Sequence, residues 1–172
     1  MVDEICLIFG RPVIRDRVEF ISELKRFQAS HGCVIQALDA DKVVCERHLL
    51  FATKKALQAF SKGRNIAKDL GVEILRYASG ERQIERAMSI GLSSSTKRIA
   101  LVLTPMPSIA DCRFPDASLL SSIVEEDGLG CSFKAEAVKE AFNISEEEIS
   151  AVGEDRIPDL VLERVALVDT YR

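Results

Sequence analysis

Apolar residues recur along the chain with two periods, and the switches between them mark out the elements. Residues 4–10 hold Ile5, Cys6, Leu7, Ile8 and Phe9 without a polar interruption, which predicts a buried strand. From Asp16 to Ser30, Val18, Ile21 and Leu24 form one helical line with Phe20 and Phe27 beside it, while Lys25 and Arg26 face out. His31-Gly32 ends that helix, with His31 near the negative pole of its dipole. Cys33–Leu38 reads as a second strand. Cys45, Leu49, Ala52, Ala56 and Ala59 then recur at helical spacing, widened by Leu50, Leu57 and Phe60, and the small members of this stripe let another element approach closely. Ser61-Lys62-Gly63 supplies a stop.

The pattern continues with a short helical turn around Asn65–Leu70, capped by Asn65, a strand at Val72–Ala78, a break at Ser79-Gly80 and a long helix at Glu81–Ile90. Arg98–Thr104 (RIALVLT) is a strongly apolar strand that Thr104-Pro-Met-Pro107 stops, because proline cannot donate to a ladder. A helix is expected over Asp116–Glu125, followed by two short ones at Lys134–Phe142 and Ser145–Val152, the second opened by a Ser145/Glu148 capping box. Pro158 suits the first turn of a last helix, Pro158–Tyr171. Alternating strands and helices through the first two thirds predict an α/β fold: a single domain over residues 1–172, with a mixed β-sheet, helices packed against it and a helical C-terminal third.

The last helix is apolar on most of its circumference. Leu160, Val161, Leu162, Val165, Ala166, Leu167 and Val168 leave only Glu163 and Arg164 polar in the middle. Such a helix needs burial on two sides, so it is either a fully buried terminal element or one that also meets a partner.

Charge adds one local feature. The net charge is −4, yet the stretch from Arg47 to Lys68 carries Arg47, Lys54, Lys55, Lys62, Arg64 and Lys68 and no acid. This is either a solvated helix face or a positive field for an anionic partner. Strand, Ser-Gly and helix start in succession form either an ordinary cap or a phosphate-binding helix end. The five cysteines (Cys6, Cys33, Cys45, Cys112, Cys131) contain no C-x-x-C pair, and with two histidines they do not make a zinc set; reduced, mostly buried thiols are expected. Asp39 and Asp41 precede a helix, as caps or as a magnesium or acid–base pair, and His48 flanks the apolar stripe without an identifiable nucleophile. Gly128-Leu-Gly130 does not match a dinucleotide loop, and no Walker A sequence occurs. No apolar run approaches a membrane span, and MVDEICLIFG is acidic where a signal peptide is basic, which points to a cytoplasmic protein.

HLLFATKKALQAF, followed by GRNIAKDLGVEILRYASGERQIERA, resembles the signature of the small kinase-binding subunit of the KEOPS complex, the PRPK-binding protein family, in its archaeal form. HLLFA, NI, EIL-x-YASG and RQI at these separations carry the resemblance, and the order of elements on either side extends it over essentially the whole chain. The resemblance implies a non-catalytic subunit without metal or cofactor. It implies a complex that transfers a threonylcarbamoyl group to the adenosine beside the anticodon of certain tRNAs. It also implies two partners: an atypical kinase/ATPase subunit whose activity this subunit supports, and tRNA held by its single-stranded 3′ CCA end.

On this reading the central stretch supplies what an RNA end needs. Lys54, Lys55, Lys62, Arg64 and Lys68 give charge, Tyr77 a stacking ring at a strand end, and Ser79 and Gly80 backbone N–H groups; Arg82 lies in the first helical turn, and Asn65 and Gln83 complete the set. Leu160, Val161, Arg164, Val165, Leu167 and Val168 are expected to include the kinase-binding surface. Two other readings compete: a small-molecule enzyme with a site near Asp39, Asp41 and His48, and a scaffold without RNA contact.

Overall fold

The computed structural model describes residues 4–109, 114–115 and 117–170; Cys112, Asp116 and Tyr171 lie outside them. Strand β3 (Ile99–Pro105) organises the fold. It lies between β2 (Cys33–Asp39) and β1 (Cys6–Pro12), and a short β4 (Val124–Glu126) completes the order β2-β3-β1-β4. Every pairing is antiparallel, so the sheet expected as mixed runs in alternating directions throughout.

β3 is buried on both faces, which explains its near-continuous apolar sequence. Ile99, Leu101 and Leu103 meet Phe20 and Leu24 of α1 (Arg17–His31) in one core. Ala100 and Val102 point the other way, into a core shared with α2 (Glu46–Ser61), α3 (Leu70–Ser79), α6 (Ala135–Phe142), α7 (Glu146–Val152) and α8 (Ile157–Leu167). The α/β class and the helical C-terminal third are as the pattern predicts. Asp16 caps α1 by accepting from Glu19 N–H at 2.8 Å, and left-handed Gly32 ends it. The Ser145 capping box is also present: Ser145 Oγ accepts from Glu148 N–H at 3.2 Å, and the Glu148 carboxylate accepts from Ser145 N–H at 2.9 Å.

Four elements differ from the expectation, the first being the helical turn expected around Asn65–Leu70, where residues 64–69 form an irregular loop instead. Val72–Ala78 is not a strand but the body of α3. Asp69 caps that helix through Val72 N–H at 3.0 Å, and left-handed Gly80 closes it. Nine of its ten residues are buried, Glu73, Arg76 and Ser79 among them, so its polar stripe at helical spacing faces protein instead of solvent. The long helix expected at Glu81–Ile90 is α4 (Ile84–Ala87) followed by a 3-10 turn, Met88–Ile90. The helix expected over Asp116–Glu125 divides into α5 (Ala117–Leu120) and β4. β4 pairs with Gly10–Pro12, where a Cβ on Gly10 would collide with the Glu125 carbonyl, so the missing side chain lets the strands close.

α8 begins as predicted with proline in its first turn, but it ends at Leu167. Among the cysteines Cys33 is buried, Cys45 and Cys131 are half-buried and Cys6 is exposed. Among the described residues no helix is long and apolar enough to cross a membrane.

Candidate functional site

α2 and α3 pack tightly because Ala52, Ala56 and Ala59 of α2 present no bulk. His48 fastens the pair: its Nε2 lies 2.7 Å from the Ala78 carbonyl, and its Nδ1 accepts from Val44 N–H at 3.4 Å. The end of α8 closes over this pair, and a cleft of about 470 Å³ opens between the three helices. Lys55, Gln58 and Ala59 of α2, Arg64 and Ile66 of the following loop, Arg76 and Tyr77 of α3, Arg82, Val168 and Asp169 line it.

A buried ion pair holds the cleft in shape. Glu73 is fully buried and Arg76 is 1% exposed. The Glu73 carboxylate accepts from Arg76 Nη2 at 2.8 Å, from Ala67 N–H at 2.8 Å and from Ile66 N–H at 3.4 Å. One carboxylate thus anchors both the arginine and the loop that carries Arg64. Such burial is tolerable only because the pair is also hydrogen-bonded. Burial alone would lower the Arg76 pKa, but the Glu73 bond and charge outweigh it and raise it. Among the described residues Arg76 Nε has no hydrogen-bond partner.

Tyr77 and Asp169 form the other wall. Asp169 Oδ1 accepts from the Tyr77 hydroxyl at 2.7 Å, and Oδ2 accepts from Lys55 Nζ at 3.3 Å. Arg76 Nη2 lies 3.8 Å from Oδ1. The Tyr77 ring carries the Arg76 guanidinium at 4.3 Å and Lys55 Nζ at 5.5 Å from its centroid. Partial burial would raise the Asp169 carboxyl, but the bonds from Tyr77 and Lys55 and the charge of Arg76 hold it below its ordinary value. Burial first, then the bond to Asp169, pushes the Tyr77 phenol up to about 12. The lining therefore carries four cations (Lys55, Arg64, Arg76, Arg82) and one carboxylate.

Of the residues expected to hold RNA, Lys55, Arg64, Tyr77 and Arg82 meet in this cleft. Lys54, Lys62 and Lys68 are exposed but outside its lining. Asn65 does not cap a helix; its amide donates to the Ala67 carbonyl at 2.9 Å. Tyr77 stands within a helix rather than at a strand end and is 2% exposed, so its ring is covered by protein cations and does not offer a stacking face.

The expected phosphate nest at Ser79 and Gly80 is overturned. Both lie at the C-terminal, negative end of α3: the Ser79 hydroxyl donates to the Arg76 carbonyl at 3.0 Å, and Gly80 N–H donates to the Tyr77 carbonyl at 3.1 Å. Arg82 precedes α4 instead of lying in its first turn, so it has no dipole to oppose there, and Gln83 caps α4 without a side-chain bond. Gln58, Ile66, Arg76 and Asp169 are cleft residues that the pattern did not single out, and Val168, expected on the kinase-binding surface, also lines the cleft. Glu73 and Arg76, charged residues at i,i+3 inside an apolar run, are the one local signal that pointed to them.

The expected kinase surface is mostly core. Leu160, Val161, Val165 and Val168 are buried in the helical-side core. The Arg164 guanidinium grips the Phe142 carbonyl at 2.9 Å and Glu148 at 2.9 Å. Leu162 and Leu167 are half-buried and Ala166 is exposed, on the same helix as the exposed Asp159 and Glu163. One face of this apolar helix is therefore satisfied within the chain.

The acid and histidine set near α2 is engaged in bonds within the chain. Asp39 accepts from Asp41 N–H at 3.1 Å and from Thr96 Oγ1 at 3.2 Å, and Asp41 pairs with Lys134 at 2.9 Å. His48 is fully buried, and burial lowers its pKa to about 4 against the opposing effect of the Ala78 carbonyl. Among the described residues no group of three or more His, Cys, Asp or Glu is placed to hold a metal.

The chain is 46% identical over 46 residues to the KEOPS complex subunit Cgi121 of Pyrococcus abyssi (strain GE5 / Orsay), a match that spans 27% of each chain. The model of the family described as "Kinase binding protein CGI-121" matches residues 16–169, nearly the whole fold from the cap of α1 to the cleft carboxylate. The chain belongs to the CGI-121 kinase-binding protein family.

Proposed function

We propose that this chain is a non-catalytic subunit of a KEOPS complex, working in the cytoplasm in threonylcarbamoyladenosine modification of tRNA. In this reading it binds the complex's kinase/ATPase subunit and presents tRNA to it by the 3′ CCA end. The observation that carries the RNA half is the convergence of Lys55, Arg64, Arg76 and Arg82 on one cleft in a chain of net charge −4. The charges suit a phosphate backbone, and the exposed Arg64 and Arg82 guanidinium planes and Ile66, 52% exposed, suit unstacked bases. The family description and the relative's name support the kinase and the complex. On α8, Leu162, Ala166 and Leu167 are the part left for the kinase, beside the cleft that Val168 and Asp169 close. The sealed, neutral His48 supports a binding role over chemistry at Asp39, Asp41 and His48.

The test is tRNA binding across a salt series with Arg64→Glu and Arg82→Glu. Each should weaken binding and flatten the log–log salt slope by about 0.7 per lost phosphate contact. Removing CCA from the tRNA should weaken the wild type in the same way. Both variants should still capture the kinase subunit. Lys25→Glu is the control, because Lys25 is exposed on α1 across the sheet from the cleft. Equal damage from Lys25→Glu would reduce the effect to net charge and overturn the assignment.

A further inference from the structure

A cleft built only for phosphate has no use for a carboxylate at its wall, since a like charge there repels the ligand. Asp169 nevertheless stands among the four cations, and its side chain remains 52% exposed. We propose that Asp169 reads the vicinal hydroxyl pair of a terminal ribose, while the cations around it hold the adjoining phosphates. This inference rests on the RNA reading above.

The geometry supports the division of labour. Each carboxylate oxygen accepts one protein hydrogen bond, from Tyr77 on Oδ1 and Lys55 on Oδ2, while Arg76 Nη2 at 3.8 Å from Oδ1 is beyond hydrogen-bond distance. A carboxylate oxygen accepts two hydrogen bonds, so a second acceptor position remains on each. Two acceptors side by side on an ionised group match two hydroxyls on adjacent ribose carbons. An internal nucleotide offers a 2′-hydroxyl alone; the 3′ terminus of RNA is where a free pair occurs. Tyr77, Lys55 and Arg76 fix the carboxylate and keep it ionised. Arg76, 1% exposed, adds positive charge behind the carboxylate without reaching the ligand itself. Dinucleotide sites separate phosphate and ribose recognition in the same way, with backbone donors on the pyrophosphate and an acid on the ribose hydroxyl.

The experiment uses the full chain, wild type and Asp169→Asn. The probes are 5′-fluorescent RNA oligonucleotides ending in CCA with three termini: a free 2′,3′-diol, a 2′,3′-dideoxy end and a 3′-phosphate. Anisotropy titrations at one fixed ionic strength give the affinities. Wild type should prefer the diol over the dideoxy end by about tenfold, the value of losing hydrogen bonds to a charged acceptor. It should bind the 3′-phosphate weakly, against the carboxylate's charge. In Asp169→Asn the diol preference should vanish and the 3′-phosphate RNA should bind more tightly. The wild-type comparison of diol with dideoxy stands independently of how the variant folds. Equal binding of all three ends by wild type overturns the proposal. So does equal tightening of all three in Asp169→Asn, which would make the carboxylate a mere occupant of a phosphate site. If wild type binds none of them, the RNA reading itself fails.

Discussion

His48 couples the stability of the two cleft helices to pH, and the size of that coupling follows from its geometry. Its Nδ1 faces Val44 N–H and therefore must be unprotonated, and its Nε2 proton points at the Ala78 carbonyl. Charging the ring would bury a cation with no exposed surface and set a new N–H against the Val44 N–H. Burial accordingly lowers the pKa from 6.5 to about 4. Because the folded value is depressed, the unfolded chain binds the proton more readily, and stability falls as pH drops through 6.5 toward 4. The whole displacement corresponds to about 3 kcal/mol, of which about 2 kcal/mol is lost between pH 7 and pH 5. Asp127, lowered to about 2 mainly by its bond from Arg98, contributes stability that disappears only below its unfolded value of 3.8, outside this window.

The assay is urea unfolding at both pH values for wild type and His48→Gln, a side chain that donates and accepts without titrating. Wild type should lose about 2 kcal/mol on acidification at constant m, and the variant markedly less. An identical loss in both would refute the assignment of a buried neutral His48. It would also reopen this residue to acid–base work near neutral pH.

Two further outcomes test the frame of the cleft. Glu73→Ala leaves Arg76 buried without its carboxylate and releases Ile66 and Ala67 N–H, so it should cost about 3–5 kcal/mol in chemical denaturation. It should also speed amide exchange at Ile66 and Ala67; a cost under about 1 kcal/mol would mean that the pair is not structural. Gly80→Ala should destabilise by about 1 kcal/mol or more, because Gly80 has φ +70° and its new Cβ would lie 2.9 Å from Arg164 Cβ. Gly63→Ala should cost less in the same melts, since Gly63 has φ +61° with nothing within 4 Å; equal costs would deny the contact between the α3 terminus and α8.

The sequence by itself determined the elements whose period and caps are local. The unbroken run of β1 and β3, the His31-Gly32 end of α1, the alanine stripe of α2 and the Ser145 capping box are all legible because each depends on neighbours a few residues away. The family signature and the local excess of positive charge were equally legible. What failed was what the surroundings decide. α3 was misread as a strand because its polar stripe of Glu73, Arg76 and Ser79 is buried and sits in a mostly apolar run, and that one misreading turned its C-terminal cap into an apparent phosphate nest. β4 exists because Gly10 admits it, a contact across more than a hundred residues. α8 proved to be core on one face because α2 and α3 lie against it, which hydrophobicity alone could not distinguish from a partner surface. The cleft itself is tertiary: Lys55 and Asp169 are 114 residues apart, and only the packing of three helices brings the Asp169 side chain into a basic wall.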